Sequence, residues 1–227
     1  MISLIIPTYN ESGNIKRLVP YLFKRLKETT LAFEMIIVDD DSPDHTWKVA
    51  ERLQIKELKV IRRIGERGLG TAVLIGIKEA KGDIIGVIDA DLSHPPALIG
   101  KLIHECKGND IVIASRYIDD RDAKLSFFRK VVSYVATSMA SPLTNVKDPM
   151  SGYFFFKKKI IQGKPLNPIG YKILLEILVK GDYDKAKVKE MPFIFGKRYF
   201  GKSKLGFKVY LSYVMHLMLL YYYKLMH

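Results

Sequence analysis

Short apolar runs of strand length recur through the first half of the chain, at Ile2–Ile6, Met35–Val38, Lys59–Ile61, Ile84–Ile88 and Ile111–Ala114. Between them apolar residues return every three or four positions, the spacing of one helical face: Ile15, Leu18, Val19, Leu22, Phe23 and Leu26, then Trp47–Leu53, Val73–Ala80 and Leu98–Cys106. Strand alternating with helix predicts a parallel sheet. The strands are continuous apolar runs with no polar alternation, as expected when helices cover both faces, so the expected fold is a three-layer α/β sandwich. A further helix is predicted over Ser126 to about Asn145 and ended by Pro142, followed by an aromatic strand at Tyr153–Phe156, a core helix at Tyr171–Val179 and a strand at Lys187–Met191.

In open sheets of this kind ligands bind beyond the carboxyl ends of the strands, and these ends are markedly polar here. Pro7-Thr8-Tyr9-Asn10-Glu11 follows the first run, Asp39-Asp40-Asp41-Ser42-Pro43-Asp44 the second, Asp89-Ala90-Asp91 the fourth and Ser115-Arg116-Tyr117 the fifth. Two carboxylates one residue apart at a strand end can converge on a hard divalent ion, and Mg²⁺ typically combines one or two carboxylates with a substrate's phosphate oxygens. Three adjacent aspartates repel one another unless ribose hydroxyls, base N–H groups, a cation or nearby arginines accept them. One is expected to bind a nucleotide and at least one to be structural, while Asp41 or Ser42 caps a turn and Asp44 the next helix. Gly65, Gly68 and Gly70 stand in the order G-x-x-G-x-G, not the dinucleotide order, and their expected use is close backbone approach before the helix at Thr71.

Composition narrows the picture. The chain has 227 residues, 48% hydrophobic and 27% charged, which excludes a disordered tail, a coiled coil and a disulfide mini-protein. The lone Cys106 excludes an internal disulfide and fits a reducing compartment. Met1–Pro7 runs straight into a strand without a basic leader, so a signal peptide is not expected and the protein is placed on the cytosolic side. A net charge of +13 concentrates anions at the surface, without choosing among nucleotides, nucleic acid and lipid headgroups. Against a nucleic-acid-binding module stand the acidic strand ends and the absence of an RNA-binding aromatic signature.

The tail, Val209–Tyr223, is a 15-residue apolar stretch, about 22 Å as a helix and too short for a hydrocarbon core of about 30 Å. Lys202, Lys204 and Lys208 precede it, and Tyr221, Tyr222, Tyr223 and Lys224 close it, the make-up of a helix lying in an anionic membrane interface. A last helix packed on the core or at a dimer interface is the equal alternative, and a chain whose longer relatives continue into the bilayer is a third. Arg129 and Ser133 share a helical face and could meet one phosphate.

Taken together, Pro7–Glu11, Val38–Asp44, Gly68–Ala72, Gly82-Asp83, Asp89–Pro96, Ser115–Tyr117, Ser151–Tyr153 and Gly201–Leu205 resemble family 2 glycosyltransferases, and more narrowly dolichyl-phosphate mannose synthases, over nearly the whole chain. The resemblance implies a GT-A fold and inverting transfer of mannose from GDP-mannose to dolichyl (polyprenyl) phosphate. With it come Mg²⁺ or Mn²⁺, a peripheral or monotopic place on the cytoplasmic face of a membrane, and no nucleic-acid partner. It implies that Pro7, Tyr9, Glu11 and Asp39 hold the guanosine with help from Asp41, that Asp89 and Asp91 flank metal and diphosphate, and that Arg116, Arg129, Ser133, Arg198 and Lys204 meet the phosphates of donor and acceptor. Asp91 would also orient the acceptor. Ser93 stands where the family commonly has Gln, which puts a direct metal contact there in doubt. The expected organisation is a catalytic body over 1–205, with an interface helix at 126–141, and a membrane-associated helix over 206–227. UDP-glucose is the rival donor. A processive polysaccharide synthase is disfavoured, because Q-x-x-R-W is missing.

Overall fold

The computed structural model describes residues 1–118, 135–170, 172–194, 196 and 207–227. Its centre is a seven-stranded sheet of β1 (Ile2–Thr8), β2 (Phe33–Asp39), β3 (Leu58–Arg62), β4 (Ile84–Val87), β5 (Ile111–Ser115), β6 (Phe154–Lys157) and β7 (Val188–Pro192), in the order β3-β2-β1-β4-β6-β5-β7. The seven strands sit where the apolar runs predict them. β6 alone runs antiparallel, between β4 and β5. The helices are α1 (Ser12–Lys27), α2 (Thr46–Glu51), α3 (Leu69–Glu79), α4 (Ile99–Glu105), α5 (135–140), α6 (Ile173–Lys180) and α7 (Phe207–Met226).

Strand side chains alternate between two cores, which is the direct mark of three layers. Ile2, Leu4 and Ile6 join Met35, Ile37 and Phe155 under α1, α2 and α4. Ile5, Ile36, Ile85, Ile113 and Phe154 face the other way, under α3 and α6. Both faces of every central strand are therefore apolar, and the uninterrupted runs in the sequence follow.

A smaller third cluster, Ala140, Leu143, Met150, Leu175, Tyr213, Leu217 and Leu220, seats α7 against α5 and α6. The Tyr213 hydroxyl donates to the Ala136 carbonyl at 2.6 Å, Tyr221 to Met139 at 2.7 Å and Lys224 to Pro142 at 2.8 Å. The helix is 20 residues long, about 30 Å, with the apolar stretch Val209–Tyr223 as its middle. Among the described residues, no helix is both long and apolar enough to cross a membrane. One face of α7 packs on the body while Leu211, Met215, Met218, Leu219, Tyr222 and Leu225 stay exposed.

Candidate active site

From β1 the chain passes outward to β2 and β3 on one side, then returns to place β4 on β1's other side. The switch between β1 and β4 opens a crevice at their carboxyl ends, where such sheets bind ligands. The loops after β1, β2 and β4 border it. Each holds non-glycine residues in the left-handed region, Asn10 (φ 58°), Asp41 (49°), His45 (57°) and Leu92 (62°), a backbone strain that clusters at functional loops.

The three adjacent aspartates have separate surroundings. Asp39 is fully buried and accepts from Thr8 Oγ1 at 2.7 Å, Ser42 Oγ at 2.6 Å and the Ser42 N–H at 2.9 Å, tying the ends of β1 and β2 together. Asp40 forms a buried ion pair with Arg63 and accepts from the Gly68 N–H at 2.8 Å. Arg63 also donates to the Gly68 carbonyl and to Thr71 Oγ1, both at 3.0 Å. Asp40 is thus the structural member of the group. Asp41, partly exposed, meets Arg62 Nε at 2.6 Å. Asp44 accepts from the Thr46 N–H and hydroxyl and from the Ser12 N–H, holding the starts of α2 and α1. Partial burial pushes its pKa up, but these bonds outweigh it and hold the carboxyl below its ordinary value. Pro7 is buried at the end of β1, Arg67 lies 4.3 Å over the Tyr9 ring, and Glu11 accepts from Asn14 Nδ2 at 2.6 Å.

Beyond β4, the Asp91 carboxylate is buried and accepts from both the N–H and the hydroxyl of Ser93. Ser93 thereby holds the Asp91 carboxylate in place. Asp89 is 30% exposed, with His94 Nδ1 3.7 Å from its Oδ2. The His94 ring lies between Tyr153 at 5.6 Å and Phe193 at 5.3 Å. Gly152 presses against Asp89 so closely that a Cβ there would overlap the carboxylate. The donor set fits a hard ion: two carboxylates from one turn, one of them partly open, suit a divalent cation shared with phosphate oxygens. Among the described residues, no group of three or more His, Cys, Asp or Glu side chains forms an all-protein cage.

Arg116 lies across the crevice, after β5. Its Nε and Nη2 donate to the two oxygens of Asp148 at 2.8 and 2.7 Å, and its backbone N–H adds a third bond at 3.1 Å. Asp148 is fully buried, so the guanidinium is fixed in a fork. Sequence reasoning assigned no role to Asp148 or to Lys172, which stands just before α6 with Arg116, Asp148 and Asp89 around it. Burial and Arg116 pull the Lys172 pKa down to about 8 against the two carboxylates. No spacing signal reaches across the 56 positions from 116 to 172. Arg129, Ser133, Arg198 and Lys204 lie outside the described residues.

Residues 3–163 match the family model described as glycosyl transferase family 2. This chain belongs to that family. As a family 2 glycosyltransferase it is 47% identical over 223 residues to a dolichol-phosphate mannosyltransferase of Pyrococcus furiosus, a match covering 95% of this chain and 62% of that relative's length. It is 38% identical to the protein of that name from Saccharomyces cerevisiae, covering 98% of this chain and 87% of the yeast one. Among solved structures it resembles mannosyl-3-phosphoglycerate synthase from Rubrobacter xylanophilus, with a TM-score of 0.72 at 19% identity over 96% of this chain and 72% of that one. It also resembles glucosyl-3-phosphoglycerate synthase from Mycobacterium tuberculosis with Mn²⁺ and UDP, with a TM-score of 0.68 at 18% identity over 99% and 79%. The expected GT-A fold is the one these neighbours have.

Proposed function

We propose that this glycosyltransferase transfers mannose from GDP-mannose to a dolichyl or other polyprenyl phosphate, with inversion at the sugar carbon and with Mg²⁺ or Mn²⁺. The observation that carries the reading is the likeness to named dolichol-phosphate mannosyltransferases across nearly the whole chain, and the aspartate pair after β4 and the arginine clamped after β5 support it.

In this reading Pro7, Tyr9, Glu11 and Asp39 border the guanosine, with Asp41 beside them, and Asp89 and Asp91 hold the cation against the donor diphosphate. When bound, the ion supplies charge neutralisation of the departing diphosphate. Asp148 holds Arg116 in a fixed orientation, so its positive charge reaches the phosphates without reorganising during reaction. Lys172 adds a second positive charge on the same side. The acceptor phosphate is already ionised near neutral pH and needs positioning more than deprotonation, which a basic pocket provides. Arg129, Ser133, Arg198 and Lys204 are assigned to that pocket, and Asp91 to orienting the acceptor.

The catalytic body is assigned to 1–205 and the membrane contact to 126–141 and 206–227, on the cytoplasmic face, with the exposed apolar face of α7 as support. Incubating the purified protein and Mn²⁺ with GDP-mannose or UDP-glucose and a polyprenyl phosphate tests the proposal. Mannosyl lipid is the expected product, and product from UDP-glucose alone overturns the donor assignment.

A further inference from the structure

Glu176 is a carboxylate inside the core. It sits on α6 with no exposed surface, among Ile173, Leu175 and Ile177. Its Oε1 accepts from the backbone N–H of Asn167 and from Lys180 Nζ, both at 2.6 Å, and Lys180 also donates to the Pro165 carbonyl at 2.8 Å. Its Oε2 lies 3.5 Å from Nε2 of His216, which is 1% exposed on α7. One acid thus touches α6, the 165–170 connection and α7. Buried charge networks of this kind seldom add stability over well-packed apolar side chains, but they do fix where elements sit.

The 165–170 connection also meets the first turn of α3. Gly70, in the first turn of α3, donates its N–H to the Gly170 carbonyl at 3.0 Å. A Cβ at position 70 would stand 2.9 Å from both that oxygen and Pro168 Cβ, so the two segments are in backbone contact. Gly170 itself, with φ +75°, lies under α7: a Cβ there would be 3.5 Å from Ser212 Cβ. Gly68 closes the path, since its N–H and carbonyl are held by Asp40 and Arg63 at the mouth of β2. The other end of the path is Lys172, immediately before α6 and beside Arg116 and Asp89.

We infer that Glu176 is a positioning residue that ties the seat of α7 to the Gly68–Gly70 turn and to Lys172, so that the fit of α7 against the body sets how tightly the donor is held. The inference rests on the proposed function only for where the nucleotide sugar binds. It adds that a helix outside the crevice takes part in holding it. The contacts form one continuous chain: Ser212 and His216 on α7, Glu176 on α6, Asn167 to Gly170, then Gly70 and Gly68.

Calorimetry of GDP-mannose with Mn²⁺, on the full chain, tests it. His216→Leu keeps the volume and removes the partner of Glu176, and His216→Gln retains a donor. Glu176→Gln removes the charge, and Leu219→Glu, on the exposed face, serves as control. Coupling through packed networks is typically worth a few-fold to about thirty-fold in affinity. His216→Leu and Glu176→Gln are expected to weaken donor binding about three- to thirty-fold, while His216→Gln and Leu219→Glu stay within about twofold of the unmodified protein. If Glu176→Gln does not fold, the two His216 variants decide the matter. Donor affinity within twofold for His216→Leu, even with a lowered melting temperature, overturns the inference. Failure of the unmodified protein to bind GDP-mannose overturns the proposed donor instead.

Discussion

Replacing Asp40 by alanine separates the structural aspartate from its two neighbours. In the folded protein its carboxylate and Arg63 form an ion pair whose side chains are only 7% and 4% exposed. Removing one partner of such a pair leaves an uncompensated buried charge, at a cost of about 3–5 kcal/mol. Loss of the bond to the Gly68 N–H adds roughly 1 kcal/mol, partly offset by water entering the space. For a chain of this length each kcal/mol moves the melting temperature by about 2–4 °C, so Asp40→Ala should melt about 6–20 °C lower. The double variant Asp40→Leu/Arg63→Met removes both charges and should recover most of the loss, since an apolar pair of similar volume often replaces a buried ion pair without penalty. Circular dichroism melts at neutral pH give the shift, and calorimetry at low temperature gives donor affinity while both variants are folded. A melting temperature for Asp40→Ala within about 2 °C of the unmodified protein would refute the reasoning, and loss of GDP-mannose binding at unchanged stability would move Asp40 into the binding site.

Three other outcomes follow from the same geometry. Gly152→Ala should displace the Asp89 carboxylate, and a shift near 1 Å at a reacting centre costs about a hundredfold in rate, so mannosyl transfer should collapse while the melt barely moves; normal turnover would show that Asp89 is not in the site. Burial alone would push the Glu176 pKa up, but the nearby His216 and the bonds from Lys180 and Asn167 hold it below its ordinary 4.5, so it contributes stability above that pH which is lost as pH falls through the lower folded value. Urea melts of Glu176→Gln should accordingly lose less stability than the unmodified protein on acidification below about pH 4.5, and an identical acid profile would count against the network. Met218→Glu/Leu219→Glu, at 59% and 53% exposure, should leave the melt within about 0.5 kcal/mol per site while weakening sedimentation with anionic vesicles; undiminished association would remove α7 from the membrane contact.

The order of strands and helices was legible because burial on both faces writes itself into sequence as unbroken apolar runs, and Ile2–Ile6 or Ile84–Ile88 can be little else. The antiparallel direction of β6 was not, since Tyr153–Phe156 is equally apolar in either direction and only its neighbours β4 and β5 set it. The expected helix over 206–227 contains α7, whose seat on the body no count of apolar residues announces. Tyr221 and Lys224 bond there to the carbonyls of Met139 and Pro142, residues more than eighty positions away.

The candidate site was legible where its carboxylates lie in one turn, and illegible where it depends on residues far apart. Asp89 and Asp91 announce themselves by spacing alone. Asp39 and Asp40 are the same residue type at adjacent positions, and what divides their work is partner chemistry: hydroxyls of Thr8 and Ser42 for one, a guanidinium for the other. Arg63 is 23 positions from Asp40, and Asp148 is 32 from Arg116, separations that no local pattern spans. Under the proposed function the fork that Asp148 imposes on Arg116 matters for the chemistry, because a cation already aimed loses no reorganisation energy when charge develops on a departing phosphate. On that proposal an acid buried against an arginine serves catalysis by aiming it, and a search for substrate-facing residues alone passes over it.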